Sequence, residues 1–422
     1  MTHDHELACG CDKDEVACCS HDDAHGITRR QSLDMLASGG LFAAFSSMFG
    51  GFPSALHAAA DDVVRIGYLP ITDATALLVA HAKGYFKDEG LESEPPTLIR
   101  GWSPLVEGFA AGKFNLVHLL KPIPVWMRYN NKFPVKIMAW AHTNGSGLVV
   151  GAHNTAQTFA DLGGSQIAVP FWYSMHNIVL QMALRNAGLT PVIKGAGETI
   201  GAKEVNLQVL PPPEMPPALA ARKIDAYIVA EPFNALGEIK AGARMLRFTG
   251  DIWRNHPCCV VCMNEELTTA KPEWTQKVIN AVVKAAVYAS KNKVEVAKLL
   301  SKDGEGYLPV PAAVVERAMT KYDLETYGKT GAIKHADWGN GRIDFNPWPY
   351  PTATELITSA MSKTLVGGDT TFLGGLDPKT VATDLVDYRF VKAALEAQPD
   401  WKNDPSVSKD GDPFKRVEVV EL

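Results

Sequence analysis

The five prolines between Pro211 and Pro217 constrain this chain more than any other feature, inside the stretch Val205 to Leu236 that reads VNLQVLPPPEMPPALAARKIDAYIVAEPFNAL. Pro211 to Pro213 have no amide hydrogen to donate, so they end the apolar run of Leu207, Val209 and Leu210 as a strand. Pro216 and Pro217 fit only in the first turn of a helix. A helix is therefore predicted from about Glu214 through Arg222. Beyond it, Asp225 to Val229 reads as a second strand, and Tyr227, Ile228 and Val229 are apolar on both faces, as in a parallel strand covered by helices. A strand, a helix and a strand in this order make an α/β unit. Ala230-Glu231-Pro232-Phe233 then falls at the strand's carboxyl end, where open α/β sheets bind their ligands.

The same unit recurs along the chain. Val63 to Leu69 reads as a first strand, Pro70 to Asp73 as a loop, and Ala74 to about Phe86 as a helix capped by Thr72 or Asp73 and followed by Gly90 as a left-handed stop. Pro95 to Ile99 leads into the next strand. Arg100 to Ser103 reads as a loop, with Ser103-Pro104 opening a helix through Ala111. Asn115 to Leu120 is a strand, and Val135 to Ala141 and Leu148 to Gly151 flank the polar turn His142 to Gly147. Phe159 to Pro170 gives a short helix, a glycine turn and a strand, and Ser174 caps an amphipathic helix that ends at Gly188. Arg244 to Phe248 is a further strand. Lys271 to Lys302 gives two helices, and Pro311 to Tyr322 another.

The 422 residues suffice for two domains, and a hydrophobic share of 46% is ordinary for a globular chain. The net charge of −6 comes mostly from residues 1–60, which carry eight acidic and three basic side chains and leave about −1 for the rest. With no basic stripe, nucleic acid is not an expected partner.

Thr28-Arg29-Arg30-Gln31-Ser32-Leu33 precedes an apolar, small-residue run from Met35 to Phe52, and Ala58 to Ala60 offers a cleavage site. This reads as a twin-arginine export signal with a mature start at residue 61, and hence predicts a periplasmic protein. The alternative is a retained membrane anchor, which Gly39, Gly40, Gly50 and Gly51 would weaken. Upstream, His3, His5, Cys9, Cys11, Cys18, Cys19, His21 and His25 crowd into a short extension with the side chains of a metal-binding segment. Cleavage would discard them.

The PPPEM element, the KIDAYIVAEPFNA strand and the opening GYLPITDATALLVAHAKGYFKDEGLE together resemble the nitrate- and bicarbonate-binding proteins of bacterial ABC importers. These belong to a wider periplasmic group that also takes sulfonates and thiamine precursors. The resemblance covers nearly all of residues 63–395. It implies a two-lobed periplasmic binding protein of type II, each lobe a mostly parallel sheet flanked by helices. Lobe one is expected from 61–148 and 256–422, lobe two from 149–255, with residues 1–60 as the leader. It also implies a small anionic ligand between the lobes, a membrane permease as partner, a monomer, and neither catalysis nor a cofactor or metal in the mature protein.

Carried over residue by residue, the resemblance marks Trp102 and His176 as pocket residues and the His142 to Gly147 turn as the crossing between lobes, of which Thr143, Asn144 and Gly145 are pocket candidates. Glu231, at the carboxyl end of its strand, joins them. Thr143 and Asn144 have donors for an oxyanion. One departure stands out. Relatives tend to read His-Pro-Glu-Lys where this chain has His256-Pro257-Cys258-Cys259, so a thiol occupies the place of a lysine that neutralises the anion. Cys259 is for that reason a pocket candidate. Along one strand, Cys258 and Cys262 would share a face and Cys259 the other. The trio is also loosely similar to the cysteine-rich motif of the pyrimidine-synthesising thiamine enzymes. A second reading is therefore a metal binder or enzyme on the same fold, using His176, Cys258, Cys259 and Cys262.

Overall fold

The computed structural model describes residues 62–409 and 411–422. The expected export signal, its Cys/His-rich extension and the cleavage site lie outside the described residues. In chain order, the first sheet receives β1 (Ile66–Tyr68), β2 (Thr97–Leu98), β3 (Leu116–Leu120) and β4 (Val135–Trp140). The second, the sheet of lobe two, receives β5 (Ser146–Val150), which opens ahead of the expected boundary at 149, then β6 (Gln166–Val169), β7 (Thr190–Val192), β8 (Glu204–Val209), β9 (Ala226–Ala230) and β10 (Arg244–Phe248). The chain then returns to the first with β11 (Cys259–Asn264). The strand orders are β2-β1-β3-β11-β4 and β7-β8-β6-β9-β5-β10.

Both sheets are parallel except around one strand each. β5 runs antiparallel to β9 and β10, and β11 antiparallel to β3 and β4. These are the two strands that arrive from the other lobe. A strand fed by a helix on its own sheet enters at the amino edge of its neighbours, whereas β5 and β11 enter at the carboxyl edge. Ser146 lies opposite Ala230, and Cys259 opposite Leu120. The strand read from Asp225 to Val229 is thus parallel to β6 on one side only. Both crossings bring the chain to the edge where α/β sheets place their ligands.

At the first crossing Asn144 and Gly145 have φ of 58° and 73°. A Cβ on Gly145 would lie 3.0 Å from both His142 Nδ1 and Ile343 Cδ1, so backbone angle and space both select glycine.

The helices follow the sequence with three corrections. The single helix expected to Phe86 is α1 (Thr75–Ala82) and a separate turn, Tyr85–Asp88, divided at Gly84 with φ 71°. Neither Thr72 nor Asp73 caps it: Thr72 to Ala74 form a 3₁₀ turn, and the side chain of Asp73 points elsewhere, as described below. Next, α2 (Trp102–Ala110) begins ahead of Ser103, on the extended Gly101, so Trp102 is a buried helical residue rather than a loop residue. α3 (Met175–Asn186) starts as expected, with Ser174 Oγ accepting from Asn177 N at 3.0 Å. α4 (Met215–Ala220) follows a proline-rich 3₁₀ turn, and α5 (Phe233–Lys240) follows β9.

The remaining long helices are α6 (Pro272–Lys291), α7 (Lys293–Leu300), α8 (Ala312–Thr320), α9 (Pro351–Met361), α10 (Pro378–Asp384) and α11 (Tyr388–Glu396). Among the described residues, no helix is long and apolar enough to cross a membrane. The tail packs on the first sheet: Ile137 N donates to Leu385 O, and Asp387 N to Ile137 O, both at 2.9 Å. It also grips lobe two, because Gln181 Nε2 and Asn177 Nδ2 on α3 donate to Leu365 O at 2.7 and 3.1 Å. Across the seam the rings of Trp126 and Tyr173 stack at 5.7 Å. The lobes are closed on each other, and one apolar cluster runs from Ile66 and Leu119 in lobe one to Tyr227 and Val229 in lobe two.

Candidate functional site

Four segments deliver polar side chains to the seam. The turn after β1 brings Asp73, the first crossing brings His142 and Ser146, the amino terminus of α3 brings His176, and the second crossing brings Cys258 and Cys259. All six are buried. His142 Nε2 lies 2.9 Å from Asp73 Oδ2. Cys258 Sγ lies 3.6 Å from Asp73 Oδ2, 3.6 Å from Ser146 Oγ and 3.8 Å from His176 Nε2. Ser146 Oγ and His176 Nε2 are 2.9 Å apart. Asp73, His142, Cys258 and Cys259 each present one donor atom, and these atoms lie within 4.8 Å of one another.

The two thiols meet because strand alternation does not extend to Cys258. The strand proper begins at Cys259, after Pro257, so Cys258 belongs to the incoming segment and turns its sulfur to the same cluster. A register irregularity between Val261 and Cys262 further breaks the period. Cys262 points away, toward the carbonyl of Val260 at 4.0 Å and the charge of Lys121. The expectation that Cys258 and Cys262 share a face is corrected accordingly.

Burial would lower the pKa of His142, but the adjacent Asp73 carboxylate and Cys258 hold it up to about 10. Burial raises the Asp73 carboxyl above its ordinary value, against the pull of His142. Burial also opposes ionisation of Cys258, yet the Cys259 thiol and the imidazoles of His176 and His142 bring it well below the usual thiol value. Burial, with Cys258 and Asp73, pushes Cys259 well above it. Buried together, these groups interact strongly with one another.

Around this cluster the sequence candidates take different places. His176 and Cys259 belong to it. Trp102 packs edge-on against His118 with ring centroids 5.6 Å apart, and His118 Nε2 accepts from Leu69 N at 3.0 Å. Thr143 lies in the two-residue ladder that Thr143–Asn144 forms with Ile343–Asp344. The indole nitrogen of Trp102 and the hydroxyl of Thr143 are buried without a hydrogen-bond partner among the described residues.

Asn144, Gly145 and Glu231 are engaged in the frame. Asn144 Nδ2 donates to Asp344 Oδ2 at 3.1 Å, and Gly145 N donates to Arg342 O at 2.8 Å. Glu231 Oε1 accepts from Arg342 Nε at 2.8 Å, and its backbone oxygen accepts from Thr72 N at 2.8 Å. Sequence reasoning left Asp73 as a cap and His142 and Ser146 as turn residues. The available signal was positional, since Asp73 and His142 each follow the carboxyl end of an apolar strand.

The description of the NMT1-like family matches residues 57–301. A nitrate/nitrite binding protein, NrtA, of Nostoc sp. is 26% identical over 281 residues, covering 61% of each chain. A bicarbonate transport ATP-binding protein, CmpC, of Synechocystis sp. is 25% identical over 256 residues, 56% of this chain and 37% of that one. The chain therefore spans less than two thirds of these curated relatives. In three dimensions the periplasmic nitrate-binding protein NrtA from Synechocystis superposes with a TM-score of 0.66 at 18% identity, over 82% of this chain and 92% of that one. A zinc-bound ligand-binding component of an ABC-type import system from Staphylococcus aureus gives 0.59 at 18% identity, over 79% and 99%. The fold is that of the two-lobed periplasmic binding proteins.

Proposed function

We propose that this chain, which belongs to the NMT1-like family, is the solute-binding component of an ABC importer. In this reading it closes two lobes over a small solute in the periplasm and passes it, chemically unchanged, to a membrane permease. One observation carries the reading: side chains from both lobes, Asp73, Cys258 and Cys259 from one and Ser146 and His176 from the other, meet buried at the carboxyl edges of both sheets. Closure of this kind removes a solute from water between preset polar groups, so affinity arises from the hinge and the donors without any reaction.

A small oxyanion such as nitrate or bicarbonate is the solute class suggested by the names of the relatives. The unpartnered donors of Trp102 and Thr143 favour it, as does the amino-terminal end of α3 beside His176. Against it, the Arg342 guanidinium is already paired with Glu231 and Glu238, and Lys121 Nζ donates to Thr354 Oγ1 at 2.8 Å. An anion at the cluster would then depend on His142 for positive charge while facing Asp73.

A thermal-shift panel of nitrate, nitrite, bicarbonate, cyanate, sulfonates and metal ions tests the proposal, because a solute bound only by the folded protein raises its melting temperature by mass action. At least one class should stabilise the wild type and fail to stabilise His176→Ala. A panel without any stabilising solute would contradict the proposal.

A further inference from the structure

We infer that Asp73, His142, Cys258 and Cys259 form a four-coordinate site for a thiophilic transition-metal cation of the zinc class, and that this cation is the captured solute. The inference rests on the binding-protein reading above. It departs from the sequence expectation of no metal in the mature protein.

The four donors are spaced near what a tetrahedral ion requires, one pair closer at 2.9 Å and all within 4.8 Å. Bonds of about 2.0 to 2.3 Å to a tetrahedral ion set its ligand atoms roughly 3.3 to 3.8 Å apart. The separation of 3.6 Å between Cys258 Sγ and Asp73 Oδ2 already matches, and all four donor atoms lie within 4.8 Å. These donors converge and satisfy one another only in part, since Cys258 Sγ reaches Asp73 Oδ2 while other atoms of the group do not pair. Although Asp73 Oδ2 stands 2.9 Å from His142 Nε2, the pair is not aligned as a hydrogen bond, and both ring nitrogens of His142 and Asp73 Oδ1 are buried without a hydrogen-bond partner among the described residues. Buried polar atoms are nearly always partnered, so unpartnered atoms on two residues of a group whose ligand atoms lie this close point to a common partner.

Donor chemistry names the class. Two sulfurs, one imidazole and a single carboxylate suit zinc-like ions and are a poor match for calcium or magnesium, which need a shell of oxygens. The second lobe adds the outer contacts. Ser146 Oγ sits 3.6 Å from Cys258 Sγ and is itself 2.9 Å from His176 Nε2. Outer partners of this kind orient a metal-bound thiolate. Here they come from the opposite lobe, so an ion held by the four donors favours closure.

The test is a titration with Co²⁺, then Zn²⁺, of the full chain carrying Cys9→Ser, Cys11→Ser, Cys18→Ser and Cys19→Ser, which leaves only Cys258, Cys259 and Cys262 as thiols. One equivalent of cobalt should give a sulfur-to-cobalt charge-transfer band and the intense visible bands of a tetrahedral ion, both erased by one equivalent of zinc. Cys258→Ser and Cys259→Ser should each weaken binding at least about a hundredfold, and Ser146→Ala by roughly 10- to 100-fold. Cys262→Ser should leave it unchanged. Asp73→Asn, close to isosteric, should also weaken binding and guards against a serine variant that fails to fold. An octahedral, oxygen-ligated spectrum, or equal affinity in Cys258→Ser and Asp73→Asn, would overturn the site. Stabilisation by nitrate or bicarbonate with a silent cobalt titration would overturn the metal while leaving the binding-protein reading intact. A full cobalt spectrum with no change in scattering-derived compactness would overturn the cation as solute.

Discussion

His142 of the first crossing and Asp73 of the turn after β1 stand 2.9 Å apart with neither side chain exposed to solvent. Removing one partner of a buried charge pair strands the other, typically at about 3 to 5 kcal/mol. His142→Gln should therefore lower the urea midpoint by the equivalent of about 3 kcal/mol. The double variant with Asp73→Asn should recover part of the loss. Equal stability of the single and double variants would show that the two groups are not coupled.

Arg342 makes a second buried joint. Its guanidinium reaches Glu231 Oε1 and, at 3.0 Å, Glu238 Oε2, while Arg317 and Tyr327 hold Glu238 from the other side. The network ties β9 and α5 of lobe two to α8 and the 342 segment. Arg342→Ala should cost about 3 to 5 kcal/mol because buried Glu231 loses its guanidinium partner and Glu238 keeps only Arg317. Arg342→Lys should recover only part, since an ammonium lacks the planar fork. Chemical denaturation of the three proteins compares them directly.

His118 predicts an acid-sensitive stability. Burial, reinforced by repulsion from His142, lowers its pKa from 6.5 to about 3, and its Nε2 must stay unprotonated to accept from Leu69 N. A base with a depressed folded pKa contributes stability in full above the unfolded value, and loses it as pH falls from about 6.5 through about 3. The slope is at most about 1.4 kcal/mol per pH unit. Denaturation midpoints between pH 7 and 4 should fall in the wild type and fall less steeply in His118→Gln, which keeps an acceptor.

The export reading is tested through Arg29 and Arg30, the paired arginines before the apolar run. Changing both to lysine should leave precursor in the cytoplasm, as seen by fractionation and immunoblotting. Normal periplasmic yield of the double variant would reject the twin-arginine route.

Much of the frame was legible because apolar runs and proline or glycine stops mark strand and helix ends locally. β10 and the start of α3 fall where the sequence puts them. Strand direction was not legible for β5 and β11, since it depends on which lobe the chain has just left. Trp102 was misread as a loop residue because Ser103-Pro104 is a strong helix-start signal and the helix begins ahead of it. The Cys258 and Cys259 sulfurs were assigned opposite faces by a rule that holds only inside a strand. Asp73 and His142 could be recognised singly as residues at strand ends, but their meeting depends on the fold of the first crossing, where Gly145 allows the backbone to pass close to His142.

The central claim is that a solute closes the lobes around the Asp73, His142, Cys258 and Cys259 cluster. Small-angle X-ray scattering of the protein stripped by chelation and dialysis, then resupplied with Zn²⁺, nitrate or bicarbonate in separate samples, measures closure directly. The account predicts an open, more extended molecule when stripped, and with zinc a smaller radius of gyration whose profile matches the closed structure. The same profile in every sample, or compaction that persists unchanged in Cys258→Ser and His176→Ala, would contradict it.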